Sequence, residues 1–186
     1  MNQDKTNASG TQVYLHGKRQ GKDMDGRMHA LRRGRVSEAG YVYSITTVTH
    51  DRQALFEDLT MARTVVGGLK WADEQRWVRS LAYCLMPDHL HWVFRLGRRR
   101  TLSAVVQTVK GHSAMTINRI RQTPGQPIWQ EGFHDHAIRA GSDLRHLARY
   151  IVANPLRAGL VEDLGRYPHW DAVWLETGGA AEDVMS

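Results

Sequence analysis

His89 and His91 stand one residue apart in MPDHLHW (86–92). On a strand, side chains at i and i+2 project to the same side, so the two imidazoles can converge on one metal ion. Leu90 then points the other way, into a helix-covered core, and leaves the histidines on the open face. The spacing equally describes two structural or surface histidines, and a second such pair, His134 and His136, occurs downstream. A divalent ion takes about four to six donors, so a third protein group is required. Asp88 is a candidate, but at a turn it is expected to face away from His89. H-E-x-x-H and Cys-x-x-Cys patterns are absent, which argues against zincin and zinc-finger sites.

The elements that must carry these residues follow from the hydrophobic pattern. YVYSITTVT (41–49) alternates and is rich in β-branched and aromatic residues, so it predicts a strand. Residues of about 52–73 repeat apolar side chains at helical spacing, from Leu55 to Leu69, with Gly67 and Gly68 weakening the helix near its end. RWVRSLAYCLM (76–86) and HLHWVFRL (89–96) predict a hairpin, with Pro87 and Asp88 in its turn. TLSAVVQTVKGHSAMTINRI (101–120) predicts a helix capped by Thr101 or Ser103. IWQEGFHDHAI (128–138) is extended, a loop leading to an edge strand. SDLRHLARYIVANP (142–155) predicts a helix that Ser142 can cap and Pro155 disrupts. A short helical turn over 156–161 follows, and the remainder is expected to be irregular. The order β-α-β-β-α-β-α implies an α+β fold, a ferredoxin-like antiparallel sheet with helices on one face.

Charge narrows the partner. The net charge is +6 and the pI near 9.8, which favours a polyanion. Residues 95–121 hold seven Lys or Arg and no acid, whereas 162–186 hold six acids against one Arg. The polar N-terminus has no apolar core of a secretory signal, and no run approaches a membrane span. The single cysteine, Cys84, lies in an apolar run and permits no internal disulfide. These features predict a soluble protein of the cytoplasm.

Two longer stretches carry a resemblance. YCLMPDHLHWVF (83–94) resembles the histidine–hydrophobe–histidine (HUH) segment of the tyrosine-dependent IS200-like transposases. IWQEGFHDHAIR (128–139), LARYIVANPLRAGLV (147–161) and RYPHWDAVW (166–174) resemble the branch called REP-associated tyrosine transposases. The resemblance covers roughly residues 32–175. It implies the HUH endonuclease fold over 32–165. Outside it, the polar, Gly-rich and basic residues 1–31 are read from composition as a flexible arm, and 166–186 as a C-terminal tail. It implies Tyr150 as nucleophile, and His89, His91 and Asn154 as metal ligands for Mg²⁺ or Mn²⁺. Tyr150 and Asn154 are four apart, a spacing that shares one helix face, and an amide oxygen is a hard neutral donor suited to either ion.

The activity implied is metal-dependent cleavage and rejoining of palindromic REP-type hairpins of single-stranded DNA, through a 5′-phosphotyrosine intermediate, in the bacterial cytoplasm at the nucleoid. A monomer is expected, with a dimer as the alternative. Phosphate contacts are expected from Arg32, Arg33, Arg35, Arg98, Arg99, Arg100 and Lys110. Trp129 and Phe133 can stack unpaired bases or close the edge of the core. The alternatives are a non-catalytic hairpin-binding regulator on the same fold, and a metal-dependent nuclease in which Tyr150 is structural.

Overall fold

The computed structural model describes residues 37–138 and 143–173. Strand β1 (Val42–Val48) leads through two short 3₁₀ turns into helix α1 (Leu59–Glu74). Strands β2 (Val78–Met86) and β3 (His89–Leu96) form the expected hairpin, and helix α2 (Leu102–Arg121) follows. Strand β4 (His134–Ile138), helix α3 (Leu144–Val152), the single turn α4 (Asn154–Arg157) and strand β5 (Trp170–Ala172) complete the order. The five strands form one antiparallel sheet in the order β4-β1-β3-β2-β5.

Alternation along the strands divides the sheet into two faces. Leu90, Trp92, Phe94 and Leu96 of β3 join Tyr43 and Ile45 of β1 against Val65 and Leu69 of α1 and Val105, Val106 and Val109 of α2. Thus α1 and α2 share one face, as the sequence implied. The opposite face carries Val42, Cys84, Met86 and Val93, covered by Ile151 of α3. His89 and His91 lie in phase with Val93, on this second face. Among the described residues no helix is long and apolar enough to cross a membrane.

Several boundaries differ from expectation for local reasons. Helix α1 begins seven residues later than predicted because Asp58 caps it, accepting from the Thr60 and Met61 amides. Leu55 and Phe56 form a 3₁₀ turn pinned to the hairpin turn, with the Phe56 amide donating to the Pro87 carbonyl at 3.0 Å. Gly68 does not weaken α1. It is buried at the crossing with α2, where a Cβ would stand 3.5 Å from Val109. Thr101 caps α2, and Asp143 caps α3 through the His146 amide. Ser142, the expected cap, lies outside the described residues. Strand β5 was not anticipated. It comprises three residues, too few for a visible alternation, and is fastened by the Tyr167 hydroxyl donating to the Leu85 carbonyl at 2.7 Å. Gly97 ends β3 because a Cβ there would meet the Arg76 carbonyl oxygen at 2.6 Å.

Candidate active site

His91 pairs across the ladder with Thr46 and Cys84, and His89 with Val48 and Met86. The two rings stand edge to face with centroids 4.8 Å apart, and their Nε2 atoms are 3.1 Å apart. Each ring is held from behind. The Nδ1 of His89 donates to the Asp88 carboxylate at 2.5 Å, and the Nδ1 of His91 meets the Thr46 hydroxyl at 2.9 Å. Asp88 therefore does not face away from His89. The tight turn folds its carboxylate back onto the imidazole, and Arg52 secures it with a 3.0 Å ion pair. Burial pushes the Asp88 carboxyl up, but the bonds and charges of His89 and Arg52 outweigh it and hold the group below its usual range.

This arrangement fits a metal. An ionised Asp88 fixes the proton of His89 on Nδ1 and leaves Nε2 as a bare lone pair, the carboxylate–histidine pairing common behind metal ligands. His91 can then donate its Nε2–H to His89 while the Thr46 hydroxyl donates to Nδ1. Because a hydroxyl both donates and accepts, Thr46 serves the other tautomer equally well. In that tautomer Nδ1–H of His91 donates to Thr46, and the ring's single lone pair, on Nε2, is available to a cation while the ring stays neutral. Among the described residues no three His, Cys, Asp or Glu side chains form a metal-binding group. Among the described residues a third protein ligand would therefore be of another type, and an amide oxygen is one such donor.

Burial is the main force depressing His91, to about 4, and the neighbouring charges of His89 and Arg157 add to it. This has a measurable consequence. Between pH 6.5 and about 4 the unfolded chain takes up a proton that native His91 refuses. Stability should therefore fall as pH drops through that window, by at most about 3 kcal/mol from this group. His169, also depressed by burial and Arg63, adds in the same direction. Denaturant unfolding with chelator present should show a shallower pH dependence in His91→Gln; an unchanged slope would exclude this assignment.

Helix α3 is amphipathic. Its Ala148, Ile151 and Val152 pack on the sheet, while Tyr150 remains 52% exposed. The Tyr150 hydroxyl accepts from Arg157 Nη2 at 2.8 Å, and the Arg157 Cζ lies 4.0 Å from the centre of its ring. Arg157 is also the cation whose charge reaches His91. The break before Pro155 ends α3 at Val152, so Asn154 opens α4 rather than continuing the same helix. Its Nδ2 donates to the Ile151 carbonyl at 2.9 Å, which turns the amide oxygen away from that carbonyl.

The other candidates separate clearly. Trp129 and Phe133 are not base-stacking platforms. Both are buried in the main core, Trp129 with its ring 5.1 Å from Phe56 and its indole N–H donating to Ser113. The sequence read this segment as a loop leading to an edge strand and left stacking and closure of the core's edge both open for these rings; the structure gives the second, with Trp129 bridging to Thr49. Lys110 donates to the Gln130 and Gly132 carbonyls, so its ammonium braces the loop before β4. Arg98, Arg99 and Arg100 are exposed. Arg99 donates to the Gln75 carbonyl, and Arg100 lies over Trp77 with Cζ 3.9 Å from its ring centre. They follow the far end of β3 at Leu96, which is about 17 Å along the strand from His91 at roughly 3.4 Å per residue. Arg32, Arg33 and Arg35 lie outside the described residues. His134 is exposed on edge strand β4 and pairs with Thr46, so it shares the face of His91 two strands away. Sequence reasoning missed Thr46, Arg52 and Arg157. Only Arg157 had a signal, its place seven residues after Tyr150, where a helical pattern returns to the same face.

An antiparallel sheet with α1 and α2 on one face, a histidine pair on the other and a tyrosine-bearing helix beside it defines an α+β fold of the HUH type. The family model described as transposase IS200-like matches residues 38–154, and the chain belongs to that family. A Haemophilus influenzae protein assigned to the REP-associated tyrosine transposases is 29% identical, over 48% of this chain and 56% of its own length. The REP-associated tyrosine transposase of Escherichia coli K12 is 28% identical, over 47% of this chain and 50% of its own. The chain spans about half the length of these curated relatives. A solved REP-associated tyrosine transposase bound to a REP hairpin shares the fold, with TM-score 0.61 over 73% of this chain and 79% of that one at 23% identity.

Proposed function

We propose that this protein is a metal-dependent endonuclease and strand transferase that cleaves and rejoins hairpin-forming single-stranded DNA of the REP type through a 5′-phosphotyrosine intermediate. The observation that carries the proposal is the histidine pair, with both rings anchored behind by Asp88 and Thr46, on the sheet face that the Tyr150-bearing helix α3 covers. His89, His91 and Asn154 would hold Mg²⁺ or Mn²⁺. When bound, such an ion supplies Lewis acidity that polarises the scissile phosphate and eases departure of the 3′ oxygen.

The chain's own residues do the rest. Tyr150, half exposed on the polar side of α3, presents its oxygen to a phosphate. The Tyr150 oxygen–phosphorus bond forms as the bond from phosphorus to the 3′ oxygen breaks. The phenol proton passes to solvent, and the released 3′ oxygen gains one. The phosphodiester's free energy stays in the tyrosyl ester, so a 3′-hydroxyl can reverse the attack. Cleavage and joining are then one reaction in two directions, with no need for ATP. Asp88, Arg52 and Thr46 orient the imidazoles, and all these groups belong to one chain, which suits a monomer.

Incubation of the full chain with a labelled hairpin oligonucleotide and Mg²⁺ or Mn²⁺ tests the proposal. A denaturant-stable protein–DNA adduct with a free 3′-hydroxyl on the released strand is expected. Cleavage without an adduct would instead favour a nuclease with a structural Tyr150, and tight binding with neither would favour a regulator.

The Arg98–Arg100 loop lies too far from the histidines to touch the scissile phosphate and suits the flanking stem. Binding should weaken steeply with ionic strength. Arg98→Ala with Arg99→Ala should flatten the slope of log affinity against log salt by about 1–2, without changing the cleavage rate at saturating DNA. Filter binding at several salt concentrations measures both; an unaltered slope would remove this loop from the interface.

A further inference from the structure

The chemistry above assigns nothing to the arginine bonded to the nucleophile. Arg157 stands seven residues after Tyr150, in a turn of helix whose start is set by Pro155. Its guanidinium makes two contacts with one side chain: the 2.8 Å bond from Nη2 to the phenol oxygen, and the 4.0 Å stack of Cζ on the ring. The stack limits the ring's rotation, and the hydrogen bond selects the position of its oxygen.

We propose that Arg157 is a catalytic residue, which holds the Tyr150 phenol in one rotamer and stabilises the negative charge that grows on its oxygen during attack. The inference rests on Tyr150 being the nucleophile. An arginine remains protonated at any working pH, so it does not take the phenol proton. Its N–H already donates to the phenol oxygen, and the phenol O–H is left to point elsewhere, to solvent. As the O–H bond weakens and charge accumulates on the oxygen, the neutral hydrogen bond becomes a charge-assisted one, which is shorter and stronger. An interaction that strengthens only on the way to the transition state raises the rate rather than the affinity. The same bond stabilises the departing tyrosinate when a 3′-hydroxyl attacks the tyrosyl ester, so rejoining depends on Arg157 as cleavage does. The alternative for an exposed arginine is a plain phosphate contact, which would act on affinity instead.

The test uses the full chain, a labelled hairpin oligonucleotide and Mn²⁺, with adduct formation followed in single turnover at saturating DNA. Affinity for the uncleaved hairpin is measured separately in the presence of chelator. For Arg157→Ala and Arg157→Gln we expect the rate to fall by about 10²–10³-fold, the scale of losing one preorganised donor at a developing oxyanion. Affinity should hold, Arg157→Lys should recover part of the rate, and added guanidinium should recover part of it in Arg157→Ala. Rejoining of a purified adduct should slow in parallel. A wild-type rate in Arg157→Ala, or a loss confined to affinity, would overturn the inference while leaving the nucleophile assignment intact. So would a slowed Arg157→Ala that neither guanidinium nor the lysine variant improves. No adduct from the wild-type chain would overturn both.

Discussion

Tyr150→Phe should form no covalent adduct with a hairpin oligonucleotide, a rate loss of about 10⁴-fold or more, while binding the uncleaved hairpin and unfolding as the parent does. The stability half of this expectation follows from exposure. The Tyr150 hydroxyl is half exposed and its bond comes from an exposed Arg157, so its removal leaves no buried group unsatisfied and costs about 1 kcal/mol or less. The activity half follows from the other phenols. Burial pushes the Tyr83 phenol up to about 12 and raises Tyr167 as well, and Tyr167 also spends its O–H on the Leu85 carbonyl. Tyr43 is 2% exposed and its oxygen accepts from the Glu38 amide. Tyr41 is exposed but precedes Val42, whose partner is Arg95. It therefore lies at the end of the sheet away from His89, about 24 Å along the chain direction of β1 from Val48, the partner of His89. Among the described residues, none of these phenols can stand in for Tyr150. Gel electrophoresis under denaturing conditions, beside a thermal melt, measures both halves. A surviving adduct in Tyr150→Phe would refute the assignment.

His89→Ala and His91→Ala carry the second large effect. Each removes one of the two anchored imidazoles, and metal-dependent cleavage should fall by about 10²–10³-fold, the equivalent of several kcal/mol of transition-state stabilisation. The two variants should differ in their effect on Asp88. Without His89, the Asp88 carboxylate loses one of its two partners and keeps only the exposed Arg52. The hairpin turn should loosen, seen as faster amide exchange at Pro87-flanking positions. Without His91, the Thr46 hydroxyl and the Nε2 of His89 each lose a partner, while Asp88 keeps both of its own. Cleavage measured across a metal titration distinguishes weaker binding of the ion, which higher metal overcomes, from a lost fold, which it does not. Full activity in either variant at ordinary metal concentration would remove the pair from the site.

Much of the sheet was visible in the chain because β1 alternates and β2 and β3 are short apolar runs rich in aromatic and β-branched residues on either side of a turn signal. The turn at Pro87-Asp88 fell between two such runs and needed no tertiary information. Strand β5 could not be read, since three residues carry no period and its pairing depends on β2 lying uncovered at that edge. The role of the aromatic residues of 128–133 was left open between base stacking and core closure for a related reason. Their segment lacks periodicity, and only the tertiary bridge from Trp129 to Thr49 shows that it closes the core. Lys110 looked like a free cation on a helix surface, yet the loop it faces supplies two carbonyls at hydrogen-bonding distance. The histidine pair was legible as a pair. What held each ring was not, because Thr46 lies 45 residues from His91 and meets it only through strand pairing. Arg157 is the instructive omission. The helix break at Pro155 hid the i to i+7 relation that brings it over Tyr150.

The account depends most on which atom carries the DNA. Wild-type protein reacted with a hairpin oligonucleotide and Mn²⁺, then digested with nuclease and protease and analysed by tandem mass spectrometry, answers this directly. The nucleotide is predicted on Tyr150, joined through its 5′-phosphate, with the complementary product ending in a free 3′-hydroxyl. Nucleotide on any other residue, or a cleaved strand with none attached to the protein, would contradict it.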